Sequence, residues 1–318
     1  MAVYTHVSAE ALADLLGRYD AGRLVSAKGI AEGVENSNYL VDTDCARFIL
    51  TLYEKRVDAA DLPFFLHLLD QLADAGLPVP RAIRDRSGRQ IQEVAGRPAC
   101  LIEFLPGVSV TTPTVAQARS AGAAMGRMHA ALAGTNLDRP NALGVASWCP
   151  LLDRCGRDLD AIDPALHGEL SSALDHVLAR WDNGGPRTII HADLFPDNVL
   201  MLGDDVSGLI DFYFACTDLR LYDLAIMHSA WSFDPTGTTH DPAVGRALLD
   251  GYADAFGLTP QDRAQLPVLA MGACIRFALT RAWDWLNTPA DALVTRKDPL
   301  AYTRRLAFYR EMGPQLFG

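Results

Sequence analysis

The hydrophobic pattern of the chain changes period once, and the change falls at Leu105-Pro106-Gly107. Before that point, short apolar or alternating runs at residues 23–27, 38–41, 46–53, 89–94 and 99–104 are bounded by turn residues, as strands are. Two helical patterns interrupt them. One covers residues 9–18 behind a Ser8 cap; the other places Leu62, Phe65, Leu66, Leu69, Leu72 and Ala73 on one face until Gly76, Pro78 and Pro80 end it. After the change, helical patterns run through 114–133, 163–182, 219–231, 241–255, 260–286 and 298–311. Three short apolar runs, 188–190, 199–202 and 208–210, form a small β insert among them. This order predicts an α+β chain with a β-rich unit over residues 1–105 and a mainly helical unit over 106–318, hinged at 105–107.

Charge narrows what such a chain can bind. The 318 residues carry 28 Lys+Arg against 39 Asp+Glu, a formal charge of −11, which repels nucleic-acid backbones and anionic membranes. An anionic small substrate then requires local cations or Mg²⁺. Those cations are nearly all arginine, because Lys28, Lys55 and Lys297 are the only lysines. The six cysteines are scattered without zinc-like spacing, as free thiols in a reducing compartment would be. No basic leader and no run of about 18 apolar residues is read from the sequence. A soluble, cytoplasmic protein is expected.

The chemistry concentrates in the β insert. His191-Ala192-Asp193-Leu194-Phe195-Pro196-Asp197-Asn198 follows one apolar run, and Leu209-Ile210-Asp211-Phe212-Tyr213 ends another. Rigid strands would therefore project Asp193, Asn198 and Asp211 from their ends. Two oxygen donors, Asn198 and Asp211, suit the hard Mg²⁺ ion, while Asp193 can orient a hydroxyl and accept its proton. Turn-capping Asp and Asn residues seldom reproduce the whole H-x-D-x-x-x-x-N plus I-D-F spacing.

On these residues the chain resembles the kinase-like phosphotransferases of the aminoglycoside and choline kinase superfamily. The resemblance implies a two-lobed protein-kinase-like fold: a small antiparallel N-lobe, a larger helical C-lobe and ATP in the cleft. It makes Asp193 the catalytic base and Asn198 and Asp211 the metal ligands. His191 is then a brace of the catalytic loop, and Asp223, in Tyr222-Asp223-Leu224-Ala225, a second brace. Gly29-Ile30-Ala31-Glu32-Gly33-Val34-Glu35-Asn36-Ser37-Asn38 would be the phosphate-covering loop, with Gly29, Gly33 and Ser37 near phosphate oxygens, although a hairpin turn explains the glycines as well. The P-loop pattern G-x-x-x-x-G-K-[ST] is absent. At the lobe junction, Leu101-Ile102-Glu103-Phe104-Leu105-Pro106-Gly107 would offer the Glu103 carbonyl and the Leu105 amide to an adenine ring.

One departure is informative. The superfamily's phosphate lysine belongs in Phe48-Ile49-Leu50-Thr51-Leu52, where this chain has Thr51, and the following helix offers Asp70 where a Glu is expected. Lys55 shares the strand parity but would lie roughly 13 Å further along, at about 3.3 Å per residue. Lys28, beside the loop, is the other stand-in; both also read as solvated surface charges. Together with Asp61-Leu62-Pro63-Phe64-Phe65 and the motifs above, Thr51 makes the chain similar to the bacterial homoserine kinases of this type. The implied reaction is ATP plus L-homoserine to ADP plus O-phospho-L-homoserine. A zwitterionic acceptor calls for a cation, and Arg276 and Arg281 on a mostly apolar helix are the first and second choices for its carboxylate, with a structural ion pair to Asp223 or Asp284 as the alternative. Tyr213 and Trp231 are candidate pocket walls, and Asp218 a candidate for the ammonium. Kinases of choline, ethanolamine, aminoglycosides or thiosugars, a nucleotide-binding regulator without turnover, and a metal-dependent phosphohydrolase are the competing readings.

Overall fold

The computed structural model describes residues 5–30, 36–54, 58–288 and 296–317, and its contacts divide the chain into two units, Met1–Pro106 and Gly107–Gly318. The division falls inside the Leu105-Pro106-Gly107 segment where the hydrophobic period changes.

In the first unit the Ser8 hydroxyl accepts the Ala11 N–H and caps α1 (Ala9–Leu16). Strands β1 (Leu24–Ile30), β2 (Ser37–Thr43), β3 (Arg47–Leu52), β4 (Gln92–Val94) and β5 (Arg97–Glu103) form one antiparallel sheet in the order β1-β2-β3-β5-β4. Because side chains alternate across a strand, each register row belongs to one face. One face carries Tyr39, Val41, Phe48, Leu50, Leu52, Ala99 and Leu101, which pack with Leu12, Leu15 and Leu16 of α1 into a buried core. The other face carries the row Ile30, Asn38, Thr51, Cys100 and the row Lys28, Leu40, Ile49, Ile102. Helix α2 (Leu62–Asp74) buries Leu62, Phe65, Leu66, Leu68, Leu69 and Leu72.

The second unit is built on helices α3 (Val115–Ala131), α4 (Trp148–Cys155), α5 (Leu166–Leu178), α6 (Arg220–Trp231), α7 (Pro242–Phe256), α8 (Pro260–Asn287) and α9 (Leu300–Met312). Their starts follow local chemistry. Thr114 with Gln117 closes a capping box on α3, Thr259 with Asp262 does so on α8, and Asp241 accepts two N–H groups at the head of α7. Helices α3 and α7 touch through glycine: a Cβ at Gly122 would collide with the Leu248 carbonyl, and one at Gly251 with the Arg119 carbonyl. By length and mean hydropathy the long helix α8 could cross a membrane, although it holds no uninterrupted run of 18 apolar residues. However, 78% of that stretch is buried inside the protein, so it is a core helix.

The insert is two small antiparallel ribbons. β6 (Arg187–Ile190) pairs with β9 (Cys216–Leu219), and β7 (Val199–Leu202) pairs with β8 (Asp205–Leu209). Sequence periodicity missed α4, whose eight residues are too few for a clear pattern, and β9, which runs into α6 with no turn residue between them.

Candidate active site

Strand β6 ends at Ile190 and delivers a sharp turn. Ala192 sits at φ +65° and Asp211 at φ +66°, left-handed conformations that cost a non-glycine residue about 1–2 kcal/mol. Such turns persist only where the surroundings hold them. Here the holding groups are visible. The Asp223 carboxylate, on α6 and fully buried, accepts the His191 N–H and the Ala192 N–H, both at 2.8 Å. The Arg276 guanidinium of α8 donates to the Ala192 carbonyl at 2.6 Å. The His191 ring donates through Nε2 to the Ile210 carbonyl at 3.0 Å and takes the Asp193 N–H on Nδ1 at 3.3 Å. It thereby ties the 191–193 turn to the strand end that carries Asp211.

Behind Asp223 stands a group the sequence did not reveal. His129 of α3 places Nε2 3.1 Å from Asp223 Oδ2 and Nδ1 3.0 Å from the Tyr252 hydroxyl, which also accepts the Arg220 guanidinium at 2.6 Å. His129 lies outside every motif, and its only sequence signal is a polar residue at a buried helical position. Burial pushes the Asp223 carboxyl up, but the hydrogen bond and charge of His129, with the field of His191, outweigh it and hold the group below the usual carboxylate range. Burial also lowers the pKa of His191, against the opposing charge of Asp223.

Ribbon β7–β8 brings the remaining donors side by side. Val199 pairs with Leu209, and the Ile210 N–H donates to the Asn198 carbonyl at 3.1 Å, so Asn198 stands next to Asp211. The Asn198 amide donates to the Asp193 carbonyl at 2.8 Å and approaches Asp193 Oδ2 at 3.3 Å. That engagement of the NH₂ group turns the Asn198 amide oxygen the other way. Burial raises the Asp193 carboxyl to about 8; Arg276 opposes the rise and Asp211 adds to it. Among the described residues no three His, Cys, Asp or Glu side chains gather as a metal cage. One carboxylate and one amide oxygen instead suit Mg²⁺, which usually keeps waters and takes substrate phosphates as further ligands.

Several sequence expectations need correction. Trp231 is no pocket wall: it is 2% exposed and its indole N–H donates to the Leu194 carbonyl at 3.0 Å, so the ring supports the segment that follows Asp193. Arg276 is also only 2% exposed, packs 4.5 Å over the Phe277 ring and donates to the Ala192 carbonyl, with neither Asp223 nor Asp284 as an ion-pair partner among the described residues; its Nε is buried without a hydrogen-bond partner. Arg281 is half-buried on the same helix, and Tyr213 half-buried in the 3₁₀ turn Phe212–Phe214 after Asp211.

In the first unit, Lys28 and Gly29 are not in a loop. They lie within β1 opposite Leu40 and Tyr39. Ser37 is on the core face, fully buried, donating to Glu54 at 2.8 Å and accepting the Thr5 N–H at 3.0 Å, so its hydroxyl does not reach toward phosphate. Gly33 and Lys55 lie outside the described residues. Thr51 donates to Asn38 Oδ1 at 2.8 Å, on the sheet face that also carries exposed Lys28, while Asp70 is committed to Arg84 at 2.9 Å. Glu103 ends β5, its side chain accepting the Arg81 N–H at 3.1 Å, and among the described residues the Leu105 N–H has no partner.

Comparison with known proteins places this geometry. A family model described as the phosphotransferase enzyme family matches residues 26–267, which include the whole 191–211 segment. The chain belongs to that family. This phosphotransferase is 51% identical to the homoserine kinase of Zymomonas mobilis, over 100% of both chains, and 54% identical to that of Acidiphilium cryptum, over 98% of both. Among solved structures, an amicoumacin kinase bound to AMP-PNP and Ca²⁺ superposes with a TM-score of 0.68 at 14% identity, covering 97% of the phosphotransferase and 93% of that chain. That likeness speaks for the kinase-like fold of the phosphotransferase.

Proposed function

We propose that this phosphotransferase transfers the terminal phosphoryl group of ATP to the side-chain hydroxyl of L-homoserine, yielding ADP and O-phospho-L-homoserine. The observation that carries the reading is identity of about half, over 98–100% of each chain, with two homoserine kinases.

In this reading Asp193 accepts the hydroxyl proton as the oxygen–phosphorus bond forms and the bond to the ADP oxygen breaks. Its Oδ2 is steadied by Asn198, and its backbone by His191. Burial raises its pKa, so the ionised carboxylate is a stronger base than an exposed one. Asn198, through its amide oxygen, and Asp211 would hold Mg²⁺, which when bound neutralises charge on the phosphates. Asp223 and Arg276 touch no reacting atom; they hold the turn on which Asp193 stands. The first unit contributes nucleotide contacts. Leu105 N–H and the Glu103 carbonyl are assigned to the adenine ring, and Lys28, on the Thr51 face of the sheet, to the charge that the missing strand lysine would supply.

An ADP-release assay across homoserine, serine, threonine, choline, ethanolamine, an aminoglycoside and a thiosugar tests the assignment. Turnover with homoserine should exceed that with the others by at least about tenfold in kcat/KM. Preference for an acceptor without a carboxylate sinks the homoserine reading and leaves the family intact. ADP release with no acceptor points to hydrolysis instead.

A further inference from the structure

Two cations, Arg281 and Lys297, stand at the two ends of a row of rings that starts at the turn carrying Asp193. Arg281 of α8 is half-buried, yet among the described residues its guanidinium has no carboxylate partner: it donates to the Asp298 carbonyl at 3.2 Å and lies 4.5 Å over the Tyr302 ring. A half-buried guanidinium with one backbone hydrogen bond and no carboxylate in direct contact keeps donors for an incoming anion.

A second cation faces the same turn. Lys297 stands 3.9 Å from the Asp197 carboxylate and 5.9 Å from the centroid of the Phe195 ring. Both members of the Lys297–Asp197 pair are mostly exposed, so the pair itself contributes little and leaves the ammonium able to turn elsewhere. Between the two cations runs a row of rings. Phe195 meets Phe277 edge-on at 4.9 Å, and Phe277 stacks on Tyr302 at 5.0 Å. The row begins at the catalytic turn, since the Phe195 N–H donates to the Asp193 carbonyl at 2.8 Å. Arg276 is not a third member, because it is 2% exposed and its Nη1 is held by the Ala192 carbonyl.

We propose that Arg281 and Lys297 bind the carboxylate of the acceptor above the Phe195, Phe277 and Tyr302 rings, so that the enzyme selects hydroxy acids over amino alcohols of the same length. The proposal rests on the homoserine reading and adds the residues that would enforce it. Lys297 was not singled out by any motif.

The discriminating pair of acceptors is L-homoserine and 3-aminopropan-1-ol, which is homoserine without its carboxylate. Each of Arg281→Gln and Lys297→Gln should raise the homoserine KM about tenfold or more while leaving the ATP KM and the small kcat/KM for 3-aminopropan-1-ol within about twofold. The ratio of the two kcat/KM values then falls by about tenfold or more, and Arg281→Lys recovers part of it. If activity toward both acceptors falls in proportion, or the homoserine KM does not move, the two residues are structural and the proposal is overturned. Lys297 is exposed, so its variant gives this answer even if an Arg281 variant folds poorly. A wild-type enzyme that fails to phosphorylate homoserine overturns the underlying reading as well, and is distinguishable because it requires no variant.

Discussion

Asp223 and Arg276 hold the same peptide unit neighbourhood from two sides: the Asp223 carboxylate takes the Ala192 N–H at 2.8 Å, and the Arg276 guanidinium donates to the Ala192 carbonyl at 2.6 Å. They come from different helices, α6 and α8, and neither is near residue 192 in sequence. The left-handed φ of Ala192 is thus imposed by two buried charges rather than by a glycine. Asp193, the next residue, inherits its position from them.

Removing the Asp223 charge should destabilise the second unit strongly. Asp223→Ala strands His129 and two backbone N–H groups in a fully buried setting, a loss of about 3–5 kcal/mol. The melting temperature is expected to fall by on the order of 10 °C. A shift of only a degree or two by calorimetry would contradict the role given to the pair.

Arg276→Met should act on turnover rather than on acceptor binding. Loosening the Ala192 carbonyl misplaces Asp193, and displacement on the order of 1 Å costs about 100-fold in kcat. The homoserine KM should stay within about threefold. The opposite pattern, a raised KM with kcat intact, would return Arg276 to carboxylate recognition.

Asp193 and Asp211 should separate kinetically. Asp193→Asn is expected to lose about 10²–10⁴ in kcat while keeping its affinity for ATP with Mg²⁺. Asp211→Asn should instead abolish the gain in ATP affinity that Mg²⁺ gives the wild type, read by calorimetry with the ion and with a chelator. Near wild-type turnover in the first variant, or an undiminished Mg²⁺ effect in the second, would reverse those assignments.

Acid stability should depend on His228. Burial pulls its pKa down to about 3, and His240 adds to the shift; the ring sits 2.7 Å from the Tyr309 hydroxyl. Above pH about 6.5 the ring is neutral in both folded and unfolded chains and contributes no pH dependence. As pH falls from there toward 3 only the unfolded chain takes the proton, so stability is lost at up to about 1.4 kcal/mol per pH unit. Urea midpoints at pH 7, 6 and 5 should show a shallower loss in His228→Gln, and equal slopes would exclude His228 as the source.

Much of the site was legible along the chain because its chemistry is local. Asp193, Asn198 and Asp211 stand at the ends of short apolar runs, and strand alternation alone puts such residues at strand mouths. The Asp223 brace was also legible, through its motif. Gly29 and Ser37 were misread for one reason: β1 and β2 extend beyond the alternating runs that announce them, and a strand end without apolar contrast looks like a loop. Trp231 and Arg276 were misread because an aromatic or a cation on an apolar helix has the same pattern whether it lines a pocket or supports a backbone.

The sequence by itself determined the two-part organisation, the kinase-like motif and the substitution of Thr51 for lysine, since period, spacing and residue identity are properties of the chain. Only the tertiary structure decided what each charge touches. Arg276 and Arg281 lie five residues apart on one helix. Each donates to a backbone carbonyl and packs over a ring, but Arg276 is buried against the strained turn at Ala192 while Arg281 is half-buried beside Asp298 and Tyr302, and that difference comes from the neighbours that other segments bring to each.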